Sequence, residues 1–244
     1  MKKILALILT LMLVVTCFAG CGKKETLVMG TEAFFPPYEY VDDNGEIVGI
    51  DVEIAKAVAD KLGMELEIKD MKFDSLLTAV QGGSIDIALA GITVTDERKL
   101  SVDFSDTYAT GIQVVIVKEN SAIKTIDDLE GKKIGVQAGT TGDIYCTDDF
   151  GQENVKQYDN GALAVAALNN DQVDCVVIDN EPAKNFVKGN AGLKILETEY
   201  AVEDYAAAIS KDNTELTENF NKALKELKDS GELAKIINKY IPAE

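Results

Sequence analysis

The segment at residues 84–98 most constrains how this chain can fold. It begins with an apolar run at 85–90, of the kind that forms a strand buried on both faces. Strands of this kind belong to parallel sheets that helices cover on both sides. Gly91 ends the run, and Thr95 stands where its side chain can cap a helical turn that contains Arg98. The segment therefore favours an α/β fold with polar groups directly after a buried strand.

Strand and helix patterns alternate along the rest of the chain. Up to residue 98 the order is βαβαβ, which predicts a parallel sheet with covering helices. A second α/β series starts with the apolar strand at 111–117, and two helices close the chain. The expected strands are 26–31, 64–69, 85–90, 111–117, 133–136, 154–158, 173–178 and 205–209. The expected helices are 49–62, 73–81, 125–129, one from 140, 161–169, 182–187, 213–228 and 231–240.

The two series repeat the same spacing of helix, turn and strand. In each, a helix leads through two turn residues into a strand that carries an aspartate, Asp86 in the first and Asp174 in the second. Five residues after these aspartates, at Gly91 and Asp179, the chain leaves its strand. Because open α/β sheets bind ligands beyond the carboxyl ends of their strands, two facing lobes would bring these ends to one ligand. Chance similarity between two βα units remains an open alternative.

The first twenty-one residues have the pattern of a secretory signal. Lys2 and Lys3 precede an apolar segment at 4–15, and Ala19 and Gly20 precede Cys21. The apolar segment is shorter than the roughly 20 residues that a membrane-spanning helix needs. Its end resembles a bacterial lipobox, so we expect residues 1–20 to be a lipoprotein signal peptide and Cys21 to receive a lipid. The alternative is plain secretion, with Cys21 as an ordinary thiol.

Charge and residue usage exclude several functions. The chain has 24 basic and 42 acidic residues, a net charge of −18, which argues against nucleic-acid binding. Histidine, the most frequent general base and metal ligand, does not occur in the sequence, and we expect no metal and no cofactor. Cys146 and Cys175 could pair outside the cytoplasm, although the apolar surroundings of Cys175 favour a buried thiol.

Several motifs occur together and in one order along the chain. They are Gly30-Thr31-Glu32 with Pro37-Tyr38-Glu39, Gly49-Ile50-Asp51-Val52, Ala90-Gly91-Ile92-Thr93-Val94-Thr95-Asp96-Glu97-Arg98, Val102-Asp103-Phe104-Ser105, Gly135-Val136-Gln137-Ala138-Gly139-Thr140-Thr141-Gly142 and Val173-Asp174-Cys175-Val176-Val177-Ile178-Asp179. With this set, residues 24–241 resemble the polar amino-acid-binding proteins of ABC importers. The resemblance implies an α/β, two-lobed type II periplasmic-binding-protein fold with two crossover hinge strands. Lobe 1 would comprise 21–108 with 205–244, lobe 2 would comprise 109–204, and the hinges would lie near 109–112 and 201–204.

The resemblance also implies where the ligand's α-carboxylate would bind. Arg98 would hold it, with help from Thr93 and from the backbone amides of Thr140 and Thr141. Two of these assignments have a physical basis in the residues themselves. A guanidinium can bind a carboxylate through two parallel hydrogen bonds, and the free N–H groups at a helix N-terminus favour an anion.

The other implied contacts concern the ligand's ammonium group and its side chain. Asp179 would hold the α-ammonium, together with the Gly91 carbonyl and the Thr93 hydroxyl. Four further residues would contact the side chain of the ligand: Glu32, Phe35, Phe73 and Gln137. The pairing of Glu32 with Gln137 predicts a polar ligand that carries a cation or an amide, because an aliphatic side chain would leave a buried carboxylate unsatisfied.

Three functions are compatible with the sequence. The resemblance implies a substrate-binding lipoprotein, not an enzyme, that captures a polar amino acid outside the cell membrane and delivers it to an ABC transporter permease. The alternative is an enzyme on the same fold, similar to periplasmic dehydratases, that acts on a small carboxylate with Glu32 or Asp179 as acid or base. A receptor's sensor domain is the third, and it would need a transmembrane segment beyond residue 21.

Overall fold

The computed structural model describes residues 24–197 and 199–242, so the expected signal peptide and Cys21 lie outside the described residues. The strands are β1 (Thr26–Thr31), β2 (Phe34–Phe35), β3 (Glu39–Val41), β4 (Ile47–Val48), β5 (Glu65–Asp70), β6 (Ile87–Ala88), β7 (Asp103–Phe104), β8 (Ala109–Lys118), β9 (Ile134–Gln137), β10 (Val155–Tyr158), β11 (Cys175–Asp179), β12 (Leu193–Ile195), β13 (Ala201–Tyr205) and β14 (Ala208–Ile209). The α-helices are α1 (Ile50–Leu62), α2 (Phe73–Gln81), α3 (Asp96–Ser101), α4 (Thr141–Phe150), α5 (Gly161–Asn169), α6 (Asn180–Gly189), α7 (Thr214–Asp229) and α8 (Glu232–Tyr240). Short 3-10 helices lie at Ile126–Leu129 and Gln152–Asn154.

The strands form two main sheets, which confirms the prediction of two α/β lobes. The first sheet has the order β5-β1-β6-β14-β7, with β1 parallel to both of its neighbours. The second has the order β10-β9-β11-β8-β12, with β9, β10 and β11 parallel and β8 antiparallel to β11. A small antiparallel sheet of β2, β3 and β4 lies beside the first.

Helix α1 shows how the sequence builds the first lobe. Its apolar side chains recur every four residues, and Ile50, Ile54 and Val58 are fully buried on that face. Gly63 ends the helix in the left-handed conformation that favours glycine, and its N–H group donates to the last helical carbonyls. Burying one such side chain contributes about 1.5–3 kcal/mol, so this face fixes the helix on the sheet.

The second lobe has its own apolar core between sheet and helices. Val115, Val117, Ile134, Val136 and Cys175 are fully buried there. Cys146 lies in the same core, and both cysteines are free thiols in the structure. Burial raises the pKa of Cys175 to about 12, so this thiol remains protonated at neutral pH. None of the described helices is both long and apolar enough for a membrane crossing.

The matching positions of Asp86 and Asp174 in the two series have the same physical cause. The Val28 N–H group donates to the Asp86 carboxylate at 2.7 Å, and the Asp86 N–H group donates back to the Val28 carbonyl at 2.8 Å. In the second lobe Lys133 and Asp174 make the same pair of hydrogen bonds, both at 2.8 Å. Each aspartate thus joins the start of its strand to the neighbouring parallel strand.

Strands β8 and β13 run side by side where the two sheets meet. They pair antiparallel from Ala109 opposite Tyr205 to Gln113 opposite Ala201. Gly111 lies under the Tyr205 ring, and a Cβ atom there would be 2.1 Å from the tyrosine oxygen. This pairing supports the lobe boundaries given above, with lobe 1 at 21–108 and 205–244 and lobe 2 at 109–204, which we retain as a proposal.

The structure corrects three of the expected elements. The strand expected at 85–90 forms sheet pairs only at Ile87 and Ala88, because the chain then bends toward the polar residues between the lobes. The strand expected at 205–209 is divided, since Ala206 donates to Ile92 where the chain passes from the second sheet to the first. The helix expected at 125–129 is a 3-10 turn closed by Thr125 and Asp128.

Candidate ligand-binding site

A small, nearly filled cavity lies between the lobes, with about 10 Å³ of free space. Its wall includes every residue that the resemblance assigns to ligand binding, together with Glu39 and Ala90: Glu32, Phe35, Phe73, Gly91, Thr93, Arg98, Gln137, Thr140, Thr141 and Asp179. Residues of both lobes therefore face one small space. Among the described residues there is no group of three or more histidine, cysteine, aspartate or glutamate side chains placed to hold a metal ion.

Arg98 lies at the start of the short helix α3 and spans the gap between the lobes. The Thr95 hydroxyl accepts from the Arg98 N–H group at 3.1 Å, which confirms the predicted cap. The guanidinium donates to the Thr93 carbonyl at 2.8 Å and to the Gly139 carbonyl at 3.0 Å. It also lies 5.5 Å from the centre of the Phe73 ring, within range of a cation–π contact. Three of its five N–H donors remain for a ligand.

The N-terminus of α4 opens on the cavity beside Arg98. Thr140 caps this helix, because its hydroxyl accepts from the Asp143 N–H group at 3.2 Å. The preceding Gly139 has φ +76°, and a Cβ atom there would be 3.1 Å from Asp74 in the other lobe. The Thr141 hydroxyl lies 3.5 Å from that of Thr93. A guanidinium, a helix N-terminus and two hydroxyl groups thus surround one position suited to a carboxylate.

Asp179 ends β11, lines the cavity and is buried. Its carboxylate accepts from Gln113 Nε2 at 2.9 Å and from the Tyr205 hydroxyl. Burial raises the pKa of Asp179 to about 7, against the opposing effect of the tyrosine hydrogen bond. An ammonium group beside it would stabilise the carboxylate form.

Gly91 forms the part of the wall nearest Phe35. It has φ +54°, and a Cβ atom there would be 2.8 Å from the phenylalanine ring, so both conformation and space require glycine. Its N–H group donates to Asp51 Oδ2 at 2.8 Å. Phe35 is buried and Phe73 is half-buried, and both rings line the cavity.

Glu32 and Gln137 meet across the gap between the lobes. Gln137 Nε2 donates to Glu32 Oε2 at 3.4 Å, and both side chains are buried. Burial raises the pKa of Glu32 to about 7; the Gln137 hydrogen bond lowers it, and the Asp70 carboxylate raises it. The raised pKa favours the protonated form of Glu32 up to near neutral pH when the site holds no cation.

Two buried polar residues outside the predicted site, Gln113 and Glu203, hold the site together. Glu203 accepts from the Thr93 hydroxyl at 3.1 Å and from Gln113 Nε2 at 3.0 Å. The sequence around Gln113 and around Glu203 contains a signal for each of these buried positions. Gln113 is the one polar residue in the apolar run at 112–117, and Glu203 alternates with exposed neighbours on β13, in phase with the buried Tyr205.

Comparison with known proteins gives the family. The model for bacterial extracellular solute-binding proteins, family 3, matches residues 27–243. The arginine-binding extracellular protein ArtP of Bacillus subtilis (strain 168) is 39% identical over 227 residues, which cover 91% of this chain and 88% of that protein.

Solved structures agree with this match. An ancestral arginine-binding protein bound to glutamine is 44% identical, with a TM-score of 0.86 over 91% of this chain and 100% of that one. The arginine-, lysine-, histidine-binding protein ArtJ of Geobacillus stearothermophilus is 39% identical, with a TM-score of 0.85 over 91% and 96% of the two chains. The chain therefore belongs to family 3 of the bacterial extracellular solute-binding proteins and has their two-lobed type II periplasmic-binding-protein fold.

Proposed function

We propose that this chain captures a polar amino acid outside the cell membrane and delivers it to the permease of an ABC transporter. One observation carries the proposal. The cavity wall combines a guanidinium and a helix N-terminus with a buried carboxylate. A free amino acid carries the complementary charges on its carboxylate and its ammonium group.

In this proposal Arg98, Thr93 and the amides of Thr140 and Thr141 bind the α-carboxylate. Asp179 and the Gly91 carbonyl bind the α-ammonium, and the Thr93 hydroxyl contributes to both ends. Because these groups come from both lobes, a bound amino acid stabilises the closed arrangement over any open one. Capture requires only this shift in population and no chemical reaction.

The charges of the cavity favour a cationic side chain on the ligand. Arg98 matches the ligand's carboxylate and Asp179 matches its ammonium, which leaves the carboxylate of Glu32 for a further cation. The stem of a cationic side chain would lie between Phe35 and Phe73, where a cation–π contact adds to the attraction. We propose arginine, lysine or histidine as the ligand, or an amide-bearing glutamine that uses Gln137.

The named relatives support this choice of ligand class. ArtP carries arginine in its name, ArtJ carries arginine, lysine and histidine, and the ancestral protein is bound to glutamine. An enzyme on this fold would need an acid or base free to act on a substrate. Glu32 is engaged by Gln137, and Asp179 by Gln113 and Tyr205, which suits binding better than turnover.

A lipid on Cys21 would hold the mature chain at the outer face of the cell membrane. This proposal rests on the apolar segment that ends in Ala19, Gly20 and Cys21 and on the charged residues that follow. We expect Cys21→Ser to release the protein from membranes, and unchanged membrane retention of that variant would contradict the proposal.

A thermal-shift screen of the standard amino acids tests the proposed function. A ligand at about 100 times its dissociation constant stabilises the folded state by about 2.7 kcal/mol, which is readily measured as a rise in melting temperature. We expect arginine, lysine, histidine or glutamine to give the largest shift. Leucine and isoleucine are the controls, since their side chains leave Glu32 unsatisfied.

Two variants make the screen specific for the head-group contacts. Arg98→Ala and Asp179→Ala each leave a charged group of the ligand unpaired in the closed cavity, at a cost of about 2–5 kcal/mol of binding free energy. Both should lose the shift while keeping the fold, as measured by circular dichroism. A screen headed by leucine or isoleucine would reject the ligand class, and turnover of a carboxylate substrate would favour the enzyme.

A further inference from the structure

Glu39 lines the ligand cavity, yet the binding scheme above gives it no role. Its side chain is fully buried, and no N–H or O–H group of the described residues donates to either of its carboxyl oxygens. The chain at Glu39 packs against the start of helix α1, where the Asp51 N–H group donates to the carbonyl of Tyr38 at 2.9 Å, and the carboxyl groups of Glu39 and Asp51 are neighbours. Two ionised carboxylates in this position would repel each other without a donor between them.

Asp51 is also fully buried, and its two oxygens differ in their surroundings. Oδ2 accepts from the Gly91 N–H group at 2.8 Å and from the Tyr108 hydroxyl at 2.6 Å. No described N–H or O–H donor reaches Oδ1. A proton on Glu39 would satisfy Oδ1 and one oxygen of Glu39 at the same time, because a protonated carboxyl group is itself an O–H donor.

The surroundings of Glu39 favour the protonated form. Burial and the charges of Asp51, Glu32 and Asp179, which lie on α1, after β1 and at the end of β11, all raise the pKa of Glu39 well above its ordinary value. The three neighbouring charges that raise the pKa of Glu39 are therefore all carboxylates. Paired carboxyl groups elsewhere share one proton for the same reason.

We propose that Glu39 is protonated in the folded protein and that its O–H group donates a hydrogen bond to Asp51 Oδ1. Glu39 is then a positioning residue for the Gly91 backbone, which lines the ligand cavity. Asp51 then holds two elements with its other oxygen, the Gly91 backbone beside the ligand and Tyr108 directly before β8. The protonation of Glu39 is a property of the protein without ligand. Only its effect on binding rests on the proposed function. A neutral Glu39 also leaves Glu32 as the carboxylate that faces the ligand's side chain.

Infrared spectroscopy tests the proton directly and needs no ligand. At about pH 8, far above the ordinary glutamate pKa of about 4.3, the wild-type protein should show the carbonyl band of a protonated carboxylic acid. Glu39→Gln should remove this band, and the matched control Glu46→Gln, which changes an exposed glutamate, should keep it. Absence of the band in the wild type, or its persistence in Glu39→Gln, would overturn the assignment.

Binding measurements then test the positioning role. Glu39→Met leaves Asp51 Oδ1 buried without a donor, so arginine and glutamine should both bind more weakly by at least about ten-fold. Glu39→Gln should restore binding of both, because its amide N–H replaces the proton. Wild-type affinity in Glu39→Met would overturn the role. A loss in Glu39→Gln that affects arginine far more than glutamine would show instead that Glu39 is ionised and contacts the cation.

The two measurements separate the possible failures. If Glu39→Met does not fold, the infrared comparison of the wild type with Glu39→Gln still decides whether the proton is present. If none of the proposed amino acids, lysine and histidine included, binds the wild-type protein, the proposed function fails, and the infrared result stands independently of it.

Discussion

At the scale of single residues, the site depends on buried acids whose charge varies with pH. Glu32 and Asp179 both have pKa values raised to about 7, in each case first by burial. Between pH 4.5, its ordinary pKa, and about pH 7, the Glu32 carboxyl group is ionised in the unfolded chain but largely protonated in the folded protein. The folded protein therefore binds more protons than the unfolded chain between these values. Its stability without ligand should fall as the pH rises from 4.5 to about 7.

Binding of a cationic ligand should have the opposite dependence on pH. A guanidinium beside Glu32 requires the carboxylate, so affinity for arginine should rise as the pH increases toward and through about 7. Asp179 acts on the ammonium of every amino acid and shifts all affinities alike. The ratio of arginine to glutamine affinity, measured by calorimetry from about pH 5 to 8, therefore isolates Glu32. We expect the ratio to rise with pH in the wild type and to stay constant in Glu32→Gln; a constant ratio in both would assign the ligand's side chain to other groups.

The residues that the sequence could predict are those inside short motifs. Arg98 could be placed because a strand, a glycine and a helix cap occur together within a few residues of it. Gln113 and Glu203 could not be placed in this way. They are ninety positions apart in the chain, and their contact depends on the pairing of β8 with β13, which no local pattern specifies. Glu39 was part of a motif, but its contact with Asp51 required the three-dimensional arrangement.

At the scale of elements, the pairing of β8 with β13 connects the lobes and also supports the site. Tyr205 lies on β13, packs over Gly111 of β8 and donates its hydroxyl to Asp179. Any shift of this ring therefore moves a partner of the proposed ammonium-binding carboxylate. The packing of two strands and the geometry of the ligand site are coupled through one side chain.

Gly111→Ala tests this coupling. The added Cβ atom would lie 2.1 Å from the Tyr205 oxygen, so the ring must move, and overpacking of this kind costs about 1–3 kcal/mol of folding free energy. We expect a lower melting temperature together with weaker binding of the amino acid. Gly189→Ala is the matched control, because a Cβ atom there meets nothing within 4 Å. Equal behaviour of the two variants would show that the ring has room to adjust.

At the scale of the whole molecule, two polar contacts join the lobes at the rim of the cavity. Lys72 Nζ lies 2.8 Å from Asp159 Oδ1, and Asn185 Nδ2 donates to the Pro36 carbonyl at 3.4 Å. Both contacts are exposed to solvent, where ion pairs contribute little and are screened by salt. Closure of the lobes should therefore depend mainly on the ligand, with the rim adding a small bias.

Lys72→Ala measures that bias. Loss of the ion pair between Lys72 and Asp159 should lower the affinity for every amino-acid ligand by the same small factor, no more than about five-fold. The reason is that this pair affects closure of the lobes and not recognition of the ligand. The difference from the wild type should vanish at high salt. Lys225→Ala removes a pair within helix α7, with Asp229, and should leave affinity unchanged. A change confined to one ligand would place Lys72 in recognition instead.

The strand order of the first sheet has a consequence for the synthesis of the protein. Strand β14 lies between β6 and β7, yet it follows the entire second sheet in the chain. The N-terminal part of the chain emerges first, from the ribosome and, in an exported protein, from the membrane, so the early strands wait for a partner that lies more than a hundred residues after β6. The second sheet is continuous from β8 to β13 and can assemble while the first is still incomplete. We expect the first sheet, most of whose strands emerge first, to be completed after the second.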